Sequence, residues 1–142
     1  MAAVVVDASV MVALYVEEPM SKPARSALLR AREDGHDLHA PDLILIECAN
    51  AFWKLVGRNE LGRESAMAAI GALSNLDDLD RHPLDAHLAL PALSLAIAHS
   101  LTAYDAVYAA LAVQLGGTVI SGDRRFVERA SEAGLPVVPV SG

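Results

Sequence analysis

Apolar runs and helical periodicities take turns along this chain. Residues 2–6 form a continuous apolar run, Ala2-Ala3-Val4-Val5-Val6, which predicts a short strand buried on both faces. From 8 to about 16 the spacing becomes helical. Pro19 and Pro23 mark an entry turn, and 24–33 reads as a helix stopped by Asp34-Gly35. A small strand is expected over 38–40. Pro41 then opens a helix to Val56, with Asp42 in its first turn and Gly57 just past its end, the usual asymmetry of helix termini. A second helix over 63–75 completes a helical hairpin spanning 42–75.

Residues 78–82 suit another strand. The stretch 84–100 is helical in spacing, but Pro91 lacks an N–H and crowds the preceding turn, so a kink or a fresh start is expected there. Thr102 begins the next helix, which stops at Gly116-Gly117. A strand over 118–120, a helix over 124–133 and a final edge strand over 137–140 follow. Strands alternating with helices predict an α/β sandwich around a short, mostly parallel sheet. The 142 residues suit one domain, 1–142. In such sheets ligands bind beyond the carboxyl ends of the strands, where the strand order reverses. Asp7 and Asp123 both fall at carboxyl ends.

Composition narrows the picture. Hydrophobic residues make up 54% of the chain, which excludes a disordered protein. Cys48 is the only cysteine, so an internal disulfide is excluded and a reducing compartment is expected. The apolar start lacks a basic segment and is broken by Asp7, unlike a signal peptide. The apolar stretch 86–101 carries His87, Pro91, Ser94 and His99 and is shorter than the roughly 20 residues a bilayer requires. A soluble, cytoplasmic protein is expected. The net charge of −7 argues against binding nucleic acid through bulk charge, but not against an enzyme acting on it.

Four carboxylates carry the chemistry: Asp7, Glu47, Asp105 and Asp123. Three have structural explanations. Asp7 and Asp123 each suit a helix N-cap. Thr102-Ala103-Tyr104-Asp105 has capping-box spacing. Glu47 lies two turns inside an apolar helix, too deep to cap it, and an unpaired buried carboxylate costs several kcal/mol or takes up a proton. It either shares a solvated stripe with Asn50 and Lys54 or lines an acidic pocket. Gathered acids repel one another unless cations compensate them, and oxygen-only donors select Mg²⁺ or Mn²⁺, whose usual partners are phosphates. Metal-assisted phosphoryl chemistry is the reading that unites the four.

Nearby polar residues could assist or could be ordinary turn and surface groups. Ser9 and Ser121 are placed to orient the aspartates, and Arg124 and Arg125 to meet phosphate or RNA. The histidines give no zinc pattern: His82 and His87 are five apart, no cysteine pair exists, and nothing in the spacing brings two of the five histidines together. Tyr104 and Tyr108 read as packing residues. No glycine-rich phosphate loop or GxSxG elbow is present.

Val4-Val5-Val6-Asp7-Ala8-Ser9, Pro41-Asp42-Leu43 with Ile46-Glu47-Cys48-Ala49-Asn50-Ala51, Leu101-Thr102-Ala103-Tyr104-Asp105-Ala106 and Ser121-Gly122-Asp123-Arg124 together resemble the PIN domain. More narrowly they resemble the VapC-type toxins of toxin–antitoxin pairs. The resemblance implies a three-layer α/β/α sandwich with a protruding helical hairpin. It implies a Mg²⁺- or Mn²⁺-dependent endoribonuclease, usually dimeric, held inactive by an antitoxin protein. Asp7, Glu47, Asp105 and Asp123 would be the metal-holding catalytic quartet, with Ser9, Asn50, Thr102 and Ser121 in support. The hairpin 42–75 would receive the antitoxin. Read from the residues themselves, Phe52, Trp53, Leu55 and Val56 exceed what one thin helix layer needs, so part of this surface is expected to meet a second protein chain, with core packing the alternative account. Pro91 departs from the uninterrupted helix of many relatives.

Two rival readings come from other classes. A receiver-type signalling domain also holds Mg²⁺ with acids but needs a lysine at a strand end, and Lys22 and Lys54 both fall in helical regions. In a catalytically silent interaction module the acids would only cap helices.

Overall fold

The computed structural model describes residues 2–140. Among the described residues five strands are separated by one or two helices each, seven in all: β1 (Ala3–Val6), α1 (Ala8–Tyr15), α2 (Ser21–Glu33), β2 (Asp37–Pro41), α3 (Leu43–Gly57), α4 (Arg63–Ser74), β3 (Leu79–His82), α5 (Ala86–His99), α6 (Ala103–Leu115), β4 (Thr118–Ser121), α7 (Arg124–Glu132) and β5 (Val137–Pro139). The strands form one sheet in the order β3-β2-β1-β4-β5, and every pairing is parallel, so the sheet is wholly rather than mostly parallel.

Two packed layers flank the sheet because its side chains alternate. Val4 and Val6, paired in register toward Leu38 and Leu79, belong to a core shared with α1, α2, α3 and α4. Val5, in line with Val119 and Val137, belongs to the core built with α5, α6 and α7. Both faces of β1 are therefore dry, and Val5 and Val6 are fully buried. This is why its sequence is a continuous apolar run rather than an alternating one.

β1 is the turning point of the strand order: β2 lies on one side of it and β4 on the other. The carboxyl ends of β1 and β4 consequently frame the crevice where open α/β sheets place their ligands. Gly116-Gly117 makes the close β1–β4 approach possible. Gly116 takes the left-handed conformation that ends α6, and a Cβ on Gly117 would lie 2.0 Å from the Ala3 carbonyl oxygen.

Three local expectations are corrected. Pro41 ends β2, paired with His82, instead of opening α3. α2 starts earlier than 24, at Ser21, and takes Pro23 into its first turn, where a missing N–H costs nothing. α5 runs through Pro91 as one helix. The carbonyl that Pro91 leaves without its helical donor is that of His87, and the side-chain amide of Gln114 on α6 donates to it at 2.9 Å. A neighbouring helix thus supplies what the proline withholds.

The hairpin α3–α4 keeps Ile46, Trp53 and Met67 exposed, whereas Phe52 faces the core and meets Tyr15 edge-on with ring centroids 6.5 Å apart. The apolar set expected to divide between core and surface does divide, with Phe52 in the core, Trp53 exposed, and Leu55 and Val56 half-buried. Leu90, Leu93 and Ile97 make a second exposed apolar strip on α5. Among the described residues no single helix is long and apolar enough to cross a membrane.

Candidate active site

Asp7 leaves β1 directly into α1 and is 7% exposed. It caps α1, accepting from the Val10 N–H at 3.3 Å, and the Ser9 hydroxyl donates to the same oxygen, Oδ1, at 2.5 Å. Ser121, at the end of β4, also hydrogen-bonds the Asp7 carboxyl. Burial outweighs these bonds and pushes the Asp7 pKa up to about 6, with the nearby charge of Asp123 adding to the rise.

Glu47 stands half-buried on α3 and accepts a 2.6 Å hydrogen bond from the Tyr108 hydroxyl on α6. Burial raises its pKa, the tyrosine lowers it, and Asp105 and Asp7 raise it. Asp105, in the first turn of α6, is likewise raised by burial and then by Asp123, while Thr102 and Arg129 pull it down. Asp123 caps α7, its Oδ1 accepting from the Arg125 and Phe126 N–H groups at 3.0 and 3.3 Å. Glu47 feels the charges of Asp105 and Asp7, and Asp7 and Asp105 each feel that of Asp123. Asp105 and Asp123 line one cleft and Glu47 a separate concavity, and among the described residues no three of the four acids bring ligand oxygens within 4.8 Å of one another.

Capping and site-building are thus not alternatives for Asp7 and Asp123. A helix N-terminus stabilises a carboxylate beside it, and in both residues the cap bonds are made by Oδ1. Thr102 caps α6 through the Asp105 N–H at 3.1 Å.

The polar neighbours divide. Ser9 and Ser121 converge on Asp7, and Ser9 Oγ also accepts from the Gly122 N–H at 2.8 Å, stitching the β1 end to the β4 end. Ser121 Oγ accepts from the backbone N–H of Asp123 at 3.0 Å. Asn50 is exposed and lines a concavity with Leu43, Ile46, Glu47 and Tyr104. Arg125 lines a cleft of about 210 Å³ with Leu101, Thr102, Asp105, Asp123, Phe126 and Arg129. Arg124 is exposed and lies outside that lining.

Two contributors went unread in the sequence. Tyr108 is a buried hydrogen-bond donor rather than simple packing; its place one turn after Asp105 on α6 was the available signal. Arg129, one turn beyond Arg125, reaches the cleft, donates to the Ser100 carbonyl at 2.9 Å and acts on Asp105.

One expectation about histidine is overturned. His39 and His82 do come together, with Nδ1 and Nε2 2.9 Å apart, because the parallel β2–β3 pairing joins segments 43 residues distant. Asp80 joins them.

Known proteins agree with this architecture. A model of the PIN domain matches residues 4–132. Ribonuclease VapC3 of Pyrobaculum aerophilum is 37% identical over 125 residues, covering 88% of this chain and 92% of the relative. Ribonuclease VapC1 of Mycobacterium tuberculosis is 34% identical over 132 residues, 93% of this chain and 92% of the relative. The fold is shared with the crystal structure of Mycobacterium tuberculosis VapC20, described as a sarcin-ricin loop cleaving toxin, at a TM-score of 0.66 and 22% identity over 93% of this chain and 95% of that one. The receiver-type reading finds no support in this company, and Lys22 and Lys54 lie within α2 and α3. The chain belongs to the PIN domain family, together with the ribonucleases named VapC.

Proposed function

We propose that this chain is a divalent-metal-dependent endoribonuclease that hydrolyses RNA phosphodiester bonds as the toxin of a toxin–antitoxin pair, working in the cytoplasm. The observation that carries the reading is the placement of Asp7 and Asp123 just beyond the carboxyl ends of β1 and β4, where the strand order reverses, with Asp105 sharing the Asp123 cleft and Asp105 and Asp7 raising the Glu47 pKa. Family membership with the VapC ribonucleases supports it.

The donor set fits a hard dication. All four groups are carboxylates, the cation acting among them is Arg129 on Asp105, and Asp7 is buried enough for its pKa to approach neutrality. Neighbouring carboxylates gain stability from a bound cation, and oxygen-only donors favour Mg²⁺ or Mn²⁺. Asp7 and Asp105 are assigned as direct ligands, with Glu47 and Asp123 completing the set directly or through water. When bound, the ion supplies acidification of water and charge stabilisation at phosphate oxygens.

The protein's own groups do the positioning. Ser9 and Val10 hold Oδ1 of Asp7, and the Tyr108 proton on Oε1 of Glu47 fixes that side chain's direction. Arg125 and Arg129, beside Asp105 and Asp123 in the cleft, are suited to hold the phosphate backbone of RNA; Arg124 is assigned an outer contact. Asn50 and Thr102 flank the same acids.

The exposed Ile46, Trp53 and Met67 on the hairpin supply an apolar surface for an antitoxin protein. Leu90, Leu93 and Ile97 on α5 suit a homodimer contact. Cleavage of RNA with added Mg²⁺ or Mn²⁺ tests the enzymatic reading. Cutting should stop with EDTA and with Asp7→Asn; undiminished cutting in either control overturns it.

A further inference from the structure

We infer that His39, Asp80 and His82 form a second metal site, at the β3 edge of the sheet, that takes Zn²⁺ or a similar borderline first-row dication. The site shares no residue with the acidic quartet and does not rest on the nuclease reading.

The sheet register builds it. Val5, His39 and Asp80 stand in line across β1, β2 and β3, so their side chains leave the same face. His82 follows Asp80 by two residues and returns to that face. α6 packs over β1, β4 and β2 on this side, and the cluster sits where the cover runs out. The His39 side chain is 12% exposed and that of Asp80 68%, so the site has a buried floor and an open mouth.

The donor atoms converge. His39 Nδ1 and His82 Nε2 are 2.9 Å apart, and Asp80 Oδ2 lies 3.5 Å from the first and 3.8 Å from the second. One proton can sit between the two nitrogens; once it is displaced, both nitrogens and the carboxylate offer ligand atoms within 4.8 Å of one another. Bond lengths of about 2.0–2.1 Å in tetrahedral zinc sites put neighbouring donors roughly 3.3 Å apart. The two carboxylate distances, 3.5 and 3.8 Å, lie a few tenths of an ångström above that spacing and the nitrogen pair, at 2.9 Å, as far below it, so small side-chain shifts admit a dication in place of the shared proton. Two imidazoles and one carboxylate leave a fourth position for water. That nitrogen-rich set favours zinc, nickel or cobalt, whereas the all-oxygen quartet favours magnesium or manganese. The two sites therefore differ in preference as well as in place. A bound ion would also fasten the edge strand β3 to β2, a strand with nothing beyond it in the sheet.

The test counts zinc on the full chain carrying Asp7→Asn and Asp105→Asn, which disables the quartet, by equilibrium dialysis and elemental analysis. Co²⁺, read by its visible absorption, is the second probe. One equivalent of zinc should remain. His39→Gln or His82→Gln should remove it, and Asp80→Asn should weaken it by about tenfold or more. Melting of each metal-free variant serves as the folding control. If His39→Gln fails to fold, His82→Gln at the more exposed position decides. Zinc held equally well by a folded His82→Gln, or no zinc held by the parent, would overturn the assignment.

Discussion

The Tyr108 hydroxyl donates to Glu47 Oε1 at 2.6 Å, joining α6 to α3 across 61 residues of sequence. Burial and the surrounding carboxylates push the tyrosine's pKa far up, so it remains a donor at every working pH. For Glu47 the same bond opposes the upward push of burial and neighbouring acids. Tyr108→Phe should therefore raise the Glu47 pKa further and move the acid limb of an RNA-cleavage pH profile to higher pH. Stability should fall by about 1.5–3 kcal/mol, the range for a hydrogen bond to a charged partner. An unmoved acid limb would separate Tyr108 from the site.

Asp7 is stressed when metal is absent. Its folded pKa of about 6 exceeds the ordinary 3.8, so between those values the folded state holds more protons than the unfolded one. Its contribution to stability is full below about 3.8 and is lost as pH rises through about 6. The shift corresponds to about 3 kcal/mol. Asp7→Asn keeps a favourable N-cap and removes the charge. In EDTA at pH 7 it should unfold at higher denaturant than the parent, with the advantage shrinking toward pH 4. A less stable variant at pH 7 would contradict the assigned burial cost.

The fold was largely legible because its signals are local. The apolar run ending at Val6 and the helical spacing after it place β1 and α1, and the same logic fixes β4 and α7. Asp7 and Asp123 could then be set at strand ends from sequence. What could not be read depends on strand neighbours. The meeting of His39 with His82 needs the β2–β3 register, and the link from Tyr108 to Glu47 needs the packing of α6 against α3. Which of Phe52 and Trp53 turns inward is not legible either, because helical spacing alone does not say which face of α3 meets the core.

Pro91 offers a test of packing that is independent of the site. Gln114 donates to the His87 carbonyl, the group Pro91 leaves without a partner. Gln114→Ala should cost roughly 0.5–1.5 kcal/mol in denaturant unfolding. In a Pro91→Ala background the restored backbone N–H satisfies that carbonyl, so the cost should shrink toward zero in a double-mutant cycle. Equal costs in both backgrounds would refute the compensation.

Gly122 is held between the two strand ends. A Cβ there would lie 3.0 Å from Met20 Cε and 3.3 Å from Ser9 Oγ. Met20 is flexible at its tip, so Gly122→Ala should cost only about 1 kcal/mol in stability. Ser9 orients Asp7, so displacing it should reduce RNA cleavage by about tenfold, a larger effect than the stability loss explains. Activity unchanged in a folded Gly122→Ala protein would remove Ser9 from its orienting role.

Mn²⁺ titration followed by electron paramagnetic resonance addresses the metal-holding role of the four acids most directly, since bound and free ion give distinct signals. The parent chain should take up Mn²⁺, and Asp7→Asn, Glu47→Gln, Asp105→Asn and Asp123→Asn should each weaken that uptake while remaining folded. Mn²⁺ affinity that is absent in the parent, or indifferent to all four substitutions, would contradict it.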